Sequence, residues 1–422
     1  MLARFSVYCG TMRTAILLIL PLLISSCSFQ QAESNDGAAP LNGPSFLVLD
    51  LGPDELVVQI ELSTRTGAES LLIRNAEEEI ILDFQGRRGD TLHWSFPFYD
   101  SRLYLLDKPA GAMKGCWLNE AKGPDYIIPI SIREGKLMPC VSSTDIGQRY
   151  QAHFTPEDTS SAFKAIGLFQ DKGSDGVSGT FATEMGDFRF LDGYACGGNL
   201  RIGCFDGAHA FLFTARIDHD SILDGMFYSG NHWSAPWVAW KDESFLLRPA
   251  DELTHVQDSS ALWKTPMISP KGDSVSLGEV AEAGQVVMLQ VLGTWCPNCL
   301  DESRFLAELY HDYGSQGLHV VPLAFEMSSV PSEALATIET YRADLDLPYP
   351  IYLGGQKSKS IATSTLSALN HVMSYPTCII IDRSGNVRRV YTGFYGPGTG
   401  ELYQDHVQET RALLEELLAE HY

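Results

Sequence analysis

Val286-Val287-Met288-Leu289-Gln290-Val291-Leu292-Gly293-Thr294-Trp295-Cys296-Pro297-Asn298-Cys299 is the stretch on which the fold turns. The apolar run that opens it reads as a buried strand, and Leu300, Phe305, Leu306, Leu309 and Tyr310 recur at helical spacing beyond it. A Cys-x-x-Cys pair therefore sits where a strand turns into a helix. The unpaired N–H groups and dipole of a helix start stabilise an anion, which favours a thiolate at the first cysteine. Cys296 is expected to face outward as the nucleophile. Cys299, one turn in, is expected to be shielded and to resolve a mixed disulfide.

Other residues give this stretch a context. Gly293-Thr294-Trp295 precedes the pair, Glu302 follows it by one helical turn, and Ser374-Tyr375-Pro376-Thr377 leads into the apolar run Cys378-Ile379-Ile380-Ile381. On these motifs the sequence over roughly residues 265–420 resembles the membrane-anchored thioredoxin-like proteins of the TlpA/ResA kind, in the AhpC/TSA–Redoxin-like superfamily. The resemblance implies a thioredoxin-like α/β fold and a cis-proline at Pro376 facing the cysteines. It also implies that Tyr375 and Pro376 offer backbone to a partner strand, and that Glu302 tunes the cysteines and handles protons. The alternative for Glu302 is a solvated carboxylate on the helix surface. Trp295 is expected to shield Cys296. Gln290 stands where cytosolic thioredoxins carry a buried aspartate, which puts more weight on Glu302. Cys378, on a central strand, reads as inert packing rather than a third redox thiol.

The rest of this region fits. Residues 318–325 form another buried strand, Pro331 opens a helix, residues 358–369 are helical, residues 382–386 make a hairpin turn, and residues 402–421 close with an amphipathic helix. Strands alternating with helices, then a hairpin and a helix, make a layered α/β domain.

Before residue 245 the pattern changes to short apolar or alternating runs at hairpin spacing, among them residues 56–62, 79–84, 103–105, 188–190, 200–202 and 211–215. This predicts an antiparallel all-β domain over 45–245, a sandwich or a barrel, joined to the thioredoxin-like domain (265–422) by a linker over 246–264. Two stretches echo each other, one running from Gly89 to Trp117 and the other from Gly198 to Tyr228, as if one β unit occurred twice. Cys116, Cys140, Cys196 and Cys204 allow three pairings. A bridge from Cys196 to Cys204 across Gly197-Gly198-Asn199 is one reading, and four buried thiols are another. His209, His232 and the aromatics Phe227, Tyr228, Trp233, Trp237 and Trp240 read as packing and receive no chemistry.

At the other end, Arg13, the apolar core of residues 15–24 and Ser25-Ser26-Cys27 describe a signal peptide over 1–26, too short for a comfortable membrane span. Ile24-Ser25-Ser26-Cys27 resembles the bacterial lipobox, which implies lipidation at Cys27, and residues 27–44 read as a tether. A net charge of −23 disfavours a nucleic-acid partner, and nine cysteines suit an oxidising compartment. No cofactor or metal is called for; a half zinc site at Cys296 and Cys299 lacks a second pair at suitable spacing.

The expectation is a lipid-anchored thiol–disulfide oxidoreductase on the periplasmic face of a bacterial membrane, inner or outer. It would act as a reductant rather than an oxidant on disulfide- or dithiol-containing envelope proteins. An upstream membrane electron donor would supply it, and the β domain would hold the redox domain out from the membrane. Two other classes compete with this reading. A thiol peroxidase would need a Pro-x-x-x-Thr-x-x-Cys setting, and Thr294 and Cys296 do not have that spacing. In the other, an envelope binding module, the β domain would carry the function.

Overall fold

The computed structural model describes residues 44–64, 69–107, 113–135, 144–173, 176–282 and 284–421. The signal peptide, Cys27, the tether up to residue 43 and Cys140 lie outside them.

Alternation sets the first unit. In β2 (Glu55–Ser63), Leu56, Val58, Ile60 and Leu62 are buried while Gln59 and Glu61 are exposed, as a half-buried pleat requires. β1 (Ser45–Asp50) pairs with β2 on one side and with β8 (Ile127–Glu134) on the other. Between them run β3 (Ser70–Asn75), β4 (Glu78–Arg88), β5 (Thr91–Ser95), β6 (Ser101–Leu106) and β7 (Lys114–Asn119), each antiparallel to the next. The eight strands close into a barrel. Closure leaves no free sheet edge, and the inward side chains, Trp94 and Trp117 among them, fill the interior.

The next strands do the same. β9 (Arg149–Phe154), β10 (Phe163–Asp171) and β11 (Val177–Thr183) are followed by a two-residue arm, β12 (Gly186–Asp187). Then come β13 (Leu191–Cys196), β14 (Asn199–Phe205), β15 (Ala210–Asp218), β16 (Ser221–Ser229) and β17 (Trp233–Lys241). Because β17 pairs back onto β9, and β10 onto β11, this sheet is a second eight-stranded ring with β12 outside it. Its core is aromatic: Phe154, Phe181, Phe213, Phe227 and Trp237 are all buried, with Phe213 stacked on Phe227 at 4.3 Å. Trp233 and Trp240 stay outside. The two echoing stretches fall on β5–β7 and on β14–β16, the fifth to seventh strands of their respective barrels.

Three expectations about this region change. Residues 188–190 are not a strand: Arg189 takes φ +66° and its guanidinium pairs with Glu78, Asp206 and Asp301, while Phe188 alone packs on the barrel core. Cys196 lies opposite Asn199, and Cys204 opposite Phe211, so the β13–β14 hairpin holds no bridge between the two. Cys204 is a buried free thiol, while Cys116 and Cys196 each carry a disulfide. His209 is held by Asp206, with Nδ1 to Oδ2 at 3.2 Å, and the His232 ring packs on Tyr126.

The barrels are joined by buried polar groups. The Asn75 side chain bonds Phe205 as a backbone rung would, donating to its carbonyl at 3.2 Å and accepting from its N–H at 2.9 Å. Phe205, Ala210 and Leu212 of the second barrel belong to the core of the first.

The third unit is a seven-stranded sheet built from β18 (Pro266–Ile268), β19 (Ser274–Ser276), β20 (Val286–Leu292), β21 (Leu318–Glu326), β22 (Tyr352–Gln356), β23 (Thr377–Ile381) and β24 (Val387–Thr392). Their order is β19-β18-β22-β21-β20-β23-β24. β20 runs parallel to β21 and antiparallel to β23. All its residues are buried because both faces are covered, with Met288 and Leu292 in one core and Val287, Leu289 and Val291 in the other. The helices are α1 (Ala250–Leu253), α2 (Ser259–Leu262), α3 (Leu277–Val280), α4 (Pro297–Tyr313), α5 (Pro331–Asp344), α6 (Lys359–Thr365) and α7 (Glu401–Ala419). This is the thioredoxin-like α/β layer fold expected. The stretch expected to be a linker is largely part of it. α1 and α2 bury Leu253 and Leu262, Leu262 enters the sheet's core, and Thr392 donates to the Ala250 carbonyl at 3.0 Å.

Candidate active site

The site begins at the end of β20. A Cβ on Gly293 would collide with the Trp295 indole, so glycine lets that ring lie back over the strand end. The indole N–H donates to the Phe325 carbonyl at 2.9 Å. Thr294 is pinned as well: its N–H and hydroxyl both donate to the Glu326 carboxylate, at 3.0 and 2.7 Å. Cys296 then caps α4, whose first residue, Pro297, has no N–H to leave unpaired.

Cys296 does not face outward as expected. It is 8% exposed, because the segment around the cis Tyr375–Pro376 bond crosses over it and the Tyr375 carbonyl accepts from Sγ at 3.4 Å. Cys299 is fully buried one turn into the helix, three residues beyond Cys296. Both are free thiols. Burial, and then the neighbouring sulfur, push the Cys299 thiol well up.

Glu302 is buried, not solvated. Gln290 shares a face of β20 with Met288 and Leu292, so its amide faces the same core as α4 and donates to the Glu302 carboxylate at 2.9 Å. Burial pushes the Glu302 carboxyl up to about 8, against a smaller downward pull from Gln290. Ser303 extends the polar chain, bonded to Gln290 and to the Tyr341 hydroxyl at 3.2 Å. Cys378 lies opposite Gln290 on β23; it is buried, and desolvation followed by the charge of Glu302 pushes its thiol well up.

The structure thus brings Trp295, Cys296, Cys299, Glu302, Tyr375 and Pro376 into one cleft. Cys204 lies elsewhere, and Cys27 is outside the described residues. No group of His, Cys, Asp or Glu among the described residues is arranged to hold a metal.

Residues 254–402 match the Redoxin family. That segment is a Redoxin domain. The thiol-disulfide oxidoreductase ResA of Geobacillus kaustophilus is 30% identical over 110 residues, which is 26% of this chain and 56% of that protein. The thioredoxin-like protein YneN of Bacillus subtilis is 30% identical over 111 residues, 26% of this chain and 58% of that one. The chain spans a little over half the length of these curated relatives. A solved thiol:disulfide interchange protein of the thioredoxin family from Chlorobium tepidum shares 19% identity over 37% of this chain and 96% of that one, at a TM-score of 0.27.

Several residues around the dithiol of the Redoxin domain escaped the sequence reading. Glu326 carried a signal, since it is a carboxylate directly after a buried run, at the carboxyl end of a parallel strand, where α/β folds place function. Lys357 follows a short strand in the same way; its ammonium lies 3.8 Å from the Trp295 ring centroid, and its N–H donates to the Glu326 carbonyl at 2.6 Å. Asp301 and its partner Arg189 left no local signal, because they belong to units more than a hundred residues apart in sequence.

Proposed function

We propose that the chain is a thiol–disulfide oxidoreductase of the envelope working through Cys296 and Cys299. The Redoxin match and the ResA relatives support the chemistry. The observation that carries it is the pair of unbridged, buried thiols one helical turn apart at the start of α4, with Cys296 under the carbonyl that precedes a cis proline. In the reducing direction the Cys296 thiolate attacks one sulfur of a partner disulfide, forms a mixed disulfide and expels the partner's other sulfur as a thiolate. The Cys299 thiolate then attacks Cys296 Sγ and releases the second partner sulfur. Two electrons pass to the partner, which takes up two protons, and the Cys296–Cys299 disulfide remains for an upstream membrane donor to reduce.

Glu302 serves the second step. A carboxyl that titrates near neutrality can take the Cys299 proton and later return it at small cost in either direction. Trp295 and Tyr375, with ring centroids 5.3 Å apart, wall the cleft. Anchoring through Cys27 would hold the protein at the membrane; no helix among the described residues is long and apolar enough to cross one.

A Cys299→Ala variant tests this reading. It should accumulate envelope proteins on Cys296 as mixed disulfides that dithiothreitol releases. Absence of any reductant-sensitive adduct would count against the proposal.

A further inference from the structure

One side of the redox cleft is already filled. The turn between β11 and β12 enters it from the second barrel, and its tip is fitted backbone to backbone. The Ser374 hydroxyl donates to the Met185 carbonyl at 2.7 Å, and Asn298 Nδ2 donates to the Asp187 carbonyl at 3.4 Å. A Cβ on Gly393 would lie 2.6 Å from the Met185 carbonyl carbon, and one on Gly186 would lie 2.7 Å from Asn298 Nδ2. A partner segment approaching Cys296 cannot lie between Ser374, Asn298 and Gly393.

The rim left open has a distinct chemistry. Its apolar part is the half-buried Trp295 ring, Met185 at 42% exposure and Met327 at 39%. Its charged part is two lysines. Lys357 stacks on Trp295, and Lys359 Nζ lies 3.7 Å from Met185 Sδ. Tyr375 holds the segment between them by donating to the Ser358 carbonyl at 3.2 Å. Neither ammonium pairs with a carboxylate within 4.0 Å among the described residues, in a chain whose net charge is −23. Partial burial lowers both lysines' proton affinity, so the fold keeps two unpaired cations beside the dithiol against their desolvation.

We propose that this rim is the partner-docking surface, and that it takes a protein segment in which acidic side chains flank the disulfide, Lys357 and Lys359 pairing with the acids while Trp295, Met185 and Met327 cover the apolar part. The proposal rests on the exchange reading above and names the partner's chemistry.

The test uses the full chain, reduced beforehand and freed of reductant so that its dithiol supplies two electrons once, and three oxidised probes: two peptides with the same internal disulfide, one with Asp and Glu flanks and one with Lys and Arg flanks, and the small neutral hydroxyethyl disulfide. Two exposed ion pairs at low salt should give the acidic peptide an advantage of about five- to tenfold in the second-order rate constant of this single turnover, and 0.5 M salt should erase most of it. K357E/K359E should reverse the preference. K357M/K359M, which keeps the apolar stems, should abolish it, so that the two peptides react at equal rates when each is compared with hydroxyethyl disulfide. Equal rates for the two peptides, with hydroxyethyl disulfide still reduced, overturn the docking surface and leave the exchange reading standing. Reduction of none of the three probes overturns the exchange reading itself.

Discussion

The first barrel reaches the Redoxin domain with Phe98 and Tyr99, whose partly buried rings pack against that domain's core, the Phe98 ring lying 5.5 Å from the Arg304 guanidinium carbon. The second barrel reaches it with the β11–β12 turn and with Arg189. Arg189 is 3% exposed; it bonds Asp301 on the first turns of α4 and Glu78 of the first barrel at 2.6 Å, with Asp206 at 3.7 Å. Two barrels with one strand order therefore do different work. One offers an apolar side contact. The other places charge and backbone against the helix that carries the dithiol, and ties all three units together at one guanidinium. The β region does more than carry the thioredoxin-like domain, because part of it forms a wall of the cleft.

The most disruptive way to break this comparison is Arg189→Met. It leaves Glu78, Asp206 and Asp301 without their shared cation, and stranding buried carboxylates in this way should cost about 3–5 kcal/mol in urea unfolding. Adding Asp301→Asn should recover part of the loss, since one stranded charge is then gone. A loss under about 1 kcal/mol would mean that the cluster behaves as a surface ion pair and that the junction does not depend on it.

Glu302→Gln sharpens the contrast from inside the Redoxin domain, because burial and Gln290 set the Glu302 carboxyl and no barrel residue does. Its folded value of about 8 lies above the ordinary 4.5, so the folded state binds the proton more tightly than the unfolded one. The associated stability is present below about pH 4.5 and is lost as pH rises through 8. The wild type should lose about 4 kcal/mol relative to the variant between pH 5 and 9. The second exchange step should slow about 10- to 100-fold at neutral pH and lose its pH dependence near 8. An unchanged pH profile would remove Glu302 from the proton path.

The parts of this molecule legible in the sequence are those written in local pattern. β20 and α4 could be read from periodicity, and Tyr375-Pro376 and Glu302 from motif. The alternation in β2, β4, β6, β14 and β15 announced an antiparallel sheet. Barrel closure was not legible, because the Leu47 to Ile132 register across β1 and β8 joins residues far apart in the chain and leaves no mark on either strand. Residues 188–190 misled because Phe-Arg-Phe alternates as a strand does, while tertiary charge decides where the arginine goes. Cys296 was expected to face out because a helix cap usually does; its burial depends on the distant Tyr375 carbonyl. The filling of the cleft by Met185 and Gly186 was hidden for the same reason.

The gentlest test of the difference between the barrels lies at that turn. Gly186 has φ +127°, which an L side chain rarely adopts, and its added Cβ would meet Asn298. Gly186→Ala should therefore cost only about 1–2 kcal/mol overall, by strain at one residue. The same strain should push the turn off Asn298 and Gly393, and Cys296 should then react with iodoacetamide a few-fold faster. Met185→Ala serves as the control, since the backbone of the turn makes the contacts with Ser374 and Gly393 and should hold after the side chain is trimmed. Tyr99→Ala, on the other barrel, should leave the alkylation rate where it is. If Gly186→Ala weakens the fold without speeding alkylation, the turn is packing and does not limit access. If Tyr99→Ala speeds it as much, the two barrels guard the cleft alike and the distinction drawn between them fails.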